Sequence, residues 1–201
     1  MSWLFPNPRL HSPELKERFA TETEIRHVFE AEHETLHWIS LLITGDAVKA
    51  ERAVLDAAGL QKTMNGVFRD WLGQWAHAAT TRTAAASVRE LMARSVQKYG
   101  NFSCDDIDHE LLSDEQIEVL REIEPNEIIA QLDPLARAVF VIRGVERTSI
   151  FDCSQMLGVS RQTVGRAYCH ALTWFYEKTR GAVEFIPRYE VADRGAQEFS
   201  N

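Results

Sequence analysis

Thr148-Ser149-Ile150-Phe151-Asp152-Cys153-Ser154-Gln155-Met156-Leu157-Gly158-Val159-Ser160-Arg161-Gln162-Thr163-Val164-Gly165-Arg166-Ala167-Tyr168 reads as a helix, a glycine-centred turn and a second helix. A helix-turn-helix of this kind lays its second helix in the major groove of DNA. Gly158 supplies the left-handed backbone that a tight turn needs, without the clash of a Cβ. Ser154, four residues earlier, is small enough to let the helices approach. Cys153, Leu157, Val159, Val164 and Tyr168 have the spacing of a small shared core. Ser160 is placed to cap the second helix, leaving Arg161, Gln162 and Thr163 in its first turn, where base edges are reached. Arginine suits guanine and glutamine suits adenine, while Thr163 and Arg166 can serve a base or a phosphate. An ordinary helical hairpin with a glycine cap is the plainer reading of the same residues.

The charge of the 201-residue chain is unevenly spread. Its net −8 sits ill with nucleic-acid binding until it is divided by position. Residues 1–98 are neutral overall, residues 99–126 carry one cation against nine acids, and residues 127–180 have a net charge of +2. Within the first block, residues 57–98 have a net charge of +4. Two mildly basic segments thus flank an acidic connector. Residues 181–201 return to −2.

Helical periodicity dominates the rest. Pro6, Pro8 and Pro13 keep the start irregular, and no proline occurs from Glu14 to Glu124. Ile25, Phe29, Leu36, Ile39 and Ile43 recur at helical spacing up to Thr44-Gly45, and Asp46 can cap a helix running to about Ala58. A longer helix is expected from about Gly66 to Lys98, with Phe68, Trp71, Leu72, Trp75 and Ala76 on one face. A short helix is expected from Asp114 to Ile123, and Pro125 opens the last block. The chain is therefore expected to be all-α, with two small helical domains at 14–98 and 126–180. An acidic linker, 99–125, joins them, and an irregular or weakly strand-like tail, 181–201, follows.

Apolar runs are far too short to span a bilayer, and Met1–Pro8 lacks the basic start of a signal peptide. No membrane association is expected. Cys104, Cys153 and Cys169 show no CxxC spacing, and their odd number speaks against a disulfide framework. They are read as thiols, Cys153 and Cys169 on helices, which fits a cytoplasmic chain.

Leu132-Asp133-Pro134-Leu135-Ala136-Arg137-Ala138-Val139-Phe140-Val141-Ile142-Arg143, followed by the helix-turn-helix, resembles region 4 of bacterial sigma factors of the extracytoplasmic-function type. Leu41-Leu42-Ile43-Thr44-Gly45-Asp46 with Ala50-Glu51 is similar to the start of region 2 of the same family. The resemblance implies a dissociable subunit of core RNA polymerase that binds double-stranded promoter DNA, has no catalysis or cofactor of its own, and takes an anti-sigma factor as a further kind of partner. By position, Arg161, Gln162, Thr163 and Arg166 would face the −35 element. Arg69, Trp71, Trp75 and Arg82 would lie near −10 single strands, where aromatic stacking in a positive groove is the usual physics. The plainer reading of the two tryptophans is core packing on one helix face. Family members carry Lys or Arg at the positions of Gly165 and Ala167, which implies fewer phosphate contacts here. Arg52-Ala53-Val54-Leu55-Asp56 replaces the acidic, glutamine-rich polymerase-binding stretch. A sigma-like helix-turn-helix regulator or interaction module that no longer initiates transcription is the alternative.

His33-Glu34-Thr35-Leu36-His37 also matches HExxH, in which two histidines one helical turn apart hold zinc beside a glutamate base. The pair lies at the border of the apolar stripe with no recognisable third ligand, so a solvated pair is expected and a zinc hydrolase is a remote third reading. Cys104-Asp105-Asp106-Ile107-Asp108-His109 lacks the glycine and closing glutamate of a calcium loop and reads as solvated linker.

Overall fold

A computed structural model describes residues 18–60, 66–100 and 111–179. The described residues are helical, joined by turns, with a lone bridge between Phe19 and Phe68. The chain is all-α, and no helix among the described residues is long and apolar enough to cross a membrane. The irregular start, the run Cys104–His109 and the tail from Gly181 lie outside the described residues.

α1 (Glu22–Ala31) begins with a reciprocal capping box between Thr21 and Glu24. The apolar stripe from Ile25 to Ile43 is not one helix. Glu32, at φ −97° and ψ 6°, separates α1 from α2 (His33–Thr44). Gly45 then ends α2 in the left-handed region, and Asp46 caps α3 (Ala47–Gly59) through the amides of Val48 and Lys49.

The expected long helix is likewise divided. A 3₁₀ turn (Arg69–Trp71) leads into α4 (Leu72–Ser87), Val88 breaks it, and α5 (Arg89–Ser95) passes into a second 3₁₀ turn (Val96–Tyr99). β-branched Val88, buried at 1 % exposure, sits at φ −119° and ψ 13°. The bend turns Met92 and Tyr99 inward. α2, α3 and α4 form a tight bundle with α1 packed along it.

The connector contributes α6 (Asp114–Glu122), which starts at a capping box between Ser113 and Gln116. α7 (Pro125–Gln131) and α8 (Pro134–Val139) each start at a proline, a favoured first helical position. The next turn, Phe140–Val145, widens to π-helix, where the amide of Glu146 reaches the carbonyl of Val141. α9 (Ile150–Leu157) and α10 (Arg161–Lys178) complete the chain.

A single apolar core joins the two blocks. Ile39, Ile43, Ala84, Val88 and Met92 from the first belong to the same buried cluster as Leu135, Val139, Phe140, Leu172 and Phe175 from the second. α8 is the centre of this packing, in contact with α2, α5 and α10. Leu120 of α6 and Ile128 of α7 are buried in the same cluster, so the 111–131 stretch is packed as well as charged. A second, smaller cluster under α1 holds Ile25, Phe29, Leu36, Val54 and Leu72.

Polar bonds reinforce the seam. Asp133 caps α8 through the amides of Leu135 and Ala136, each at 3.1 Å. Its other oxygen accepts from Lys98 Nζ at 3.0 Å and from the hydroxyl of fully buried Tyr99. Burial pushes the Asp133 carboxyl up, but the donors of Tyr99, Lys98 and Ala136 outweigh it and hold it below the usual aspartate value. Burial and the same bond raise the Tyr99 phenol. Arg137, 7 % exposed, donates to the carbonyls of Ile129 and Leu132 and lies against the turn at Gly45.

Gly45 and Gly158 have nearly the same φ, +67° and +69°, but different surroundings. A Cβ on Gly158 meets nothing, whereas one on Gly45 meets Arg137 Nη2 at 2.8 Å. Gly158→Ala should therefore cost only the left-handed strain, about 1 kcal/mol. Gly45→Ala should cost clearly more, because the guanidinium it displaces is buried and hydrogen-bonded. Urea unfolding of the two variants checks this, and equal losses would contradict a fixed Arg137.

Candidate nucleic-acid interface

The helix-turn-helix forms as its residues require. Ser149 Oγ accepts from the amide of Asp152 at 3.0 Å and starts α9. Gly158 adopts φ +69°, and its amide and that of Val159 both reach the carbonyl of Ser154, at 2.9 and 3.2 Å. Ser154 is buried at 5 % exposure, where a larger side chain would separate the helices. Cys153, Leu157, Val164 and Tyr168 are buried and Val159 partly so, which makes the small core expected from their spacing. Burial raises the Cys153 thiol to about 12. Ser160 caps α10 by accepting from the amide of Thr163 at 3.0 Å.

Arg161, Gln162 and Thr163 lie together in the first turn of α10. Arg161 and Gln162 are exposed, and Arg161 is stacked over the exposed ring of Phe151, 5.5 Å from its centre. That contact holds an otherwise mobile guanidinium beside the start of the helix. The Thr163 hydroxyl is 2.8 Å from Ser160 Oγ and belongs to the cap.

Arg166, one turn further, is bonded within the chain. Its Nη1 donates to the carbonyl of Tyr99 at 3.0 Å and to that of Gly100. Two residues expected to act separately, a DNA contact and the end of the first block, are thus tied together. His170, on the next turn, lies 5.9 Å from the Tyr99 ring, and burial lowers its pKa. The exposed face at the start of α10 therefore becomes the seam two turns later. Ala167 is fully buried, so a cation at this position would not face solvent, and its identity reflects packing.

In the first block Arg69 and Trp71 share the 3₁₀ turn, whereas Trp75 and Arg82 lie further along α4. Arg69 forms a fork-like pair with Glu24, Nε to Oε1 at 2.8 Å and Nη2 to Oε2 at 3.2 Å. The Thr21 cap and then Arg69 hold the Glu24 carboxyl below its usual value. Arg82 is exposed on α4. Trp71 and Trp75 do not share a buried face, because Trp71 belongs to the 3₁₀ turn before α4. It is 64 % exposed, whereas Trp75 is half-buried with its ring edge-on to Phe29.

Sequence reading missed the company Trp71 keeps. Phe19 stacks on Phe68 at 4.8 Å, Phe68 meets Trp71 edge-on at 6.0 Å, and the Arg18 guanidinium lies 5.8 Å over Phe68. Backbone bonds from Ala20 to Val67 and from Arg69 to Arg18 bring these distant segments together. No local spacing signals such a pairing.

His33 and His37 stack with ring centres 6.0 Å apart, and His33 Nε2 lies 3.2 Å from Glu51 Oε2 on α3, half exposed. Among the described residues no group of three His, Cys, Asp or Glu side chains is arranged to hold a metal. Cys169, expected as a thiol, is disulfide-bonded.

The turn leading into α9 is held by both the first block and the connector. Arg147, at φ +51°, donates from Nη2 to Asp114 Oδ1 at 2.5 Å and to the carbonyl of Leu112 at 3.2 Å. His77 on α4 is bonded to Glu146 at 3.1 Å.

Protein-family models, curated proteins and solved structures yield no match to the chain.

The hydrogen bond to Glu146 outweighs burial and raises the His77 pKa above 6.5, with Glu32 adding to the rise and Arg121 opposing it. A raised folded pKa stabilises the fold fully below 6.5, and that stability is lost as pH climbs through the folded value. The stability gap between the parent chain and His77→Gln should therefore be largest in mildly acidic buffer and shrink as pH rises above 6.5. Urea unfolding across that range measures it. A gap that does not change with pH would contradict a charged His77–Glu146 pair.

Proposed function

We propose that the chain is a sigma-type transcription initiation factor, acting with core RNA polymerase and promoter DNA, with the 149–172 helix-turn-helix reading the upstream promoter element. The observation that carries this reading is the first turn of α10. A Ser160 cap, an exposed Gln162 and an Arg161 steadied by Phe151 stand at the end of a helix whose other side is buried. Glutamine and arginine at a helix start match adenine and guanine edges in the major groove.

The exposed cluster of Phe68 and Trp71 beside Arg18 and Arg69 supports a second contact. Aromatic faces next to guanidinium groups stack unpaired bases and hold their phosphates. On α3, Val48 and Leu55 are 80 % and 57 % exposed and give an apolar outer face to a protein partner. Under this reading the seam has a regulatory meaning. Arg166 cannot serve DNA while it is bonded to Tyr99 and Gly100, so full engagement of a promoter requires this end of the seam to release.

The internal use of Arg166 favours one alternative, a sigma-like regulator or interaction module that has kept the motif and no longer initiates transcription. It differs in predicting duplex binding without polymerase. The two are separated by retention of the full chain on core polymerase at low salt, followed by promoter-dependent transcription; absence of association overturns the sigma reading.

Within that reading, Arg161→Ala and Gln162→Ala should each alter sequence preference, costing roughly 1–3 kcal/mol at the base pair read. Arg166→Ala should change affinity similarly on all sequences. Competition gel shifts over single-base promoter variants decide it, and a uniform loss from all three changes would contradict base reading by Arg161 and Gln162.

A further inference from the structure

A cavity of about 630 Å³ opens on the seam between the blocks, beside the turn that leads into the helix-turn-helix. Its size is that of a small-molecule site. Its apolar wall is assembled from Ile39 of α2, Ala78 of α4, Ile117 of α6 and Met156 of α9. No single block supplies that wall.

The polar groups around it divide into satisfied and unsatisfied ones. His77 and Glu146 are bonded to each other, and Arg147 is taken by Leu112 and Asp114. Thr81 differs, because the residue lines the cavity at 2 % exposure and its buried hydroxyl has no hydrogen-bond partner. Buried hydroxyls rarely go without a partner. Arg121 also lines the cavity. Its nearest acid is Glu118 at 3.9 Å, a loose pair that leaves guanidinium donors to spare, and the guanidinium lies over the Trp38 ring, 5.7 Å from its centre. The side chains of Asp114 and Glu118 are 85 % and 73 % exposed and stand at the rim in water.

We infer that this cavity is a binding site for a small organic acid. Its anionic group pairs with Arg121, and its apolar body covers Ile39, Ile117 and Met156. Such a ligand touches both blocks at once. It binds the closed seam and not an opened one, and so stabilises the closed form by mass action. The site does not depend on the nucleic-acid reading.

The test uses 1-anilinonaphthalene-8-sulfonate, an apolar aromatic body with one anionic group, titrated by fluorescence into the full chain. One saturable site per chain is expected. Arg121→Gln and Ala78→Trp should each weaken it ten-fold or more, and both positions are exposed enough to leave the fold intact by near-ultraviolet circular dichroism. Leu55→Gln, in the separate apolar groove between α1 and α3, should leave binding unchanged. Absence of binding, indifference to Ala78→Trp, or loss with Leu55→Gln overturns the site. Loss with Ala78→Trp but not with Arg121→Gln overturns the assignment to an acid.

Discussion

Asp133 stands where the two halves of the chain meet, and its two oxygens serve different purposes. One starts α8 by accepting two backbone amides, and the other accepts Tyr99 and Lys98 from the end of the first block. The same carboxylate therefore fixes where α8 begins and where the first block ends. α8 then carries Leu135, Val139 and the following Phe140 into the common core, and α10 packs on α8. The position of the helix-turn-helix relative to the first block follows from this cap. Arg166 reinforces it from the other side by bonding to the carbonyls of Tyr99 and Gly100.

Burial explains why the seam is more than a surface contact. Tyr99 is fully buried, and Met92 and Val88 join it in the same apolar cluster as Phe140 and Phe175. Opening the seam would expose these side chains together and free the Asp133 oxygen that Tyr99 occupies. The cost of breaking a buried hydrogen bond is mostly that of the partner left behind. A partner that opens the chain must therefore offer comparable apolar contact or occupy the freed polar groups. Core polymerase and DNA are the proposed source of both.

Local structure was largely legible in the sequence because caps and turns are set by neighbouring residues. Gly45, Gly158, Asp46 and Ser160 all act where their spacing suggested, and the small core of the helix-turn-helix is filled by the residues expected to fill it. Helix breaks were not legible. Nothing in Glu32 or Val88 announces a turn, and both are decided by how the flanking helices pack. In the candidate site, spacing indicated how the first turn of α10 is capped and exposed, but not which later side chains the fold draws into the seam. Arg166 has the spacing of a DNA contact and the bonds of a seam residue, and Ala167 has the position of a phosphate contact and the burial of a core residue. Trp71 shows the reverse error, since its spacing suggested a core face and the 3₁₀ turn exposes it.

α10 is held against the first block through Tyr99, Asp133 and Arg166, and under the proposed function it is released when promoter DNA and polymerase are engaged. Hydrogen exchange on the full chain, read at the amides of residues 96–100 and 134–139, tests it most directly. Both stretches should be protected in the free chain and lose protection together when core polymerase and promoter DNA are added. Unprotected amides in the free chain, or protection that persists in the promoter complex, would contradict it.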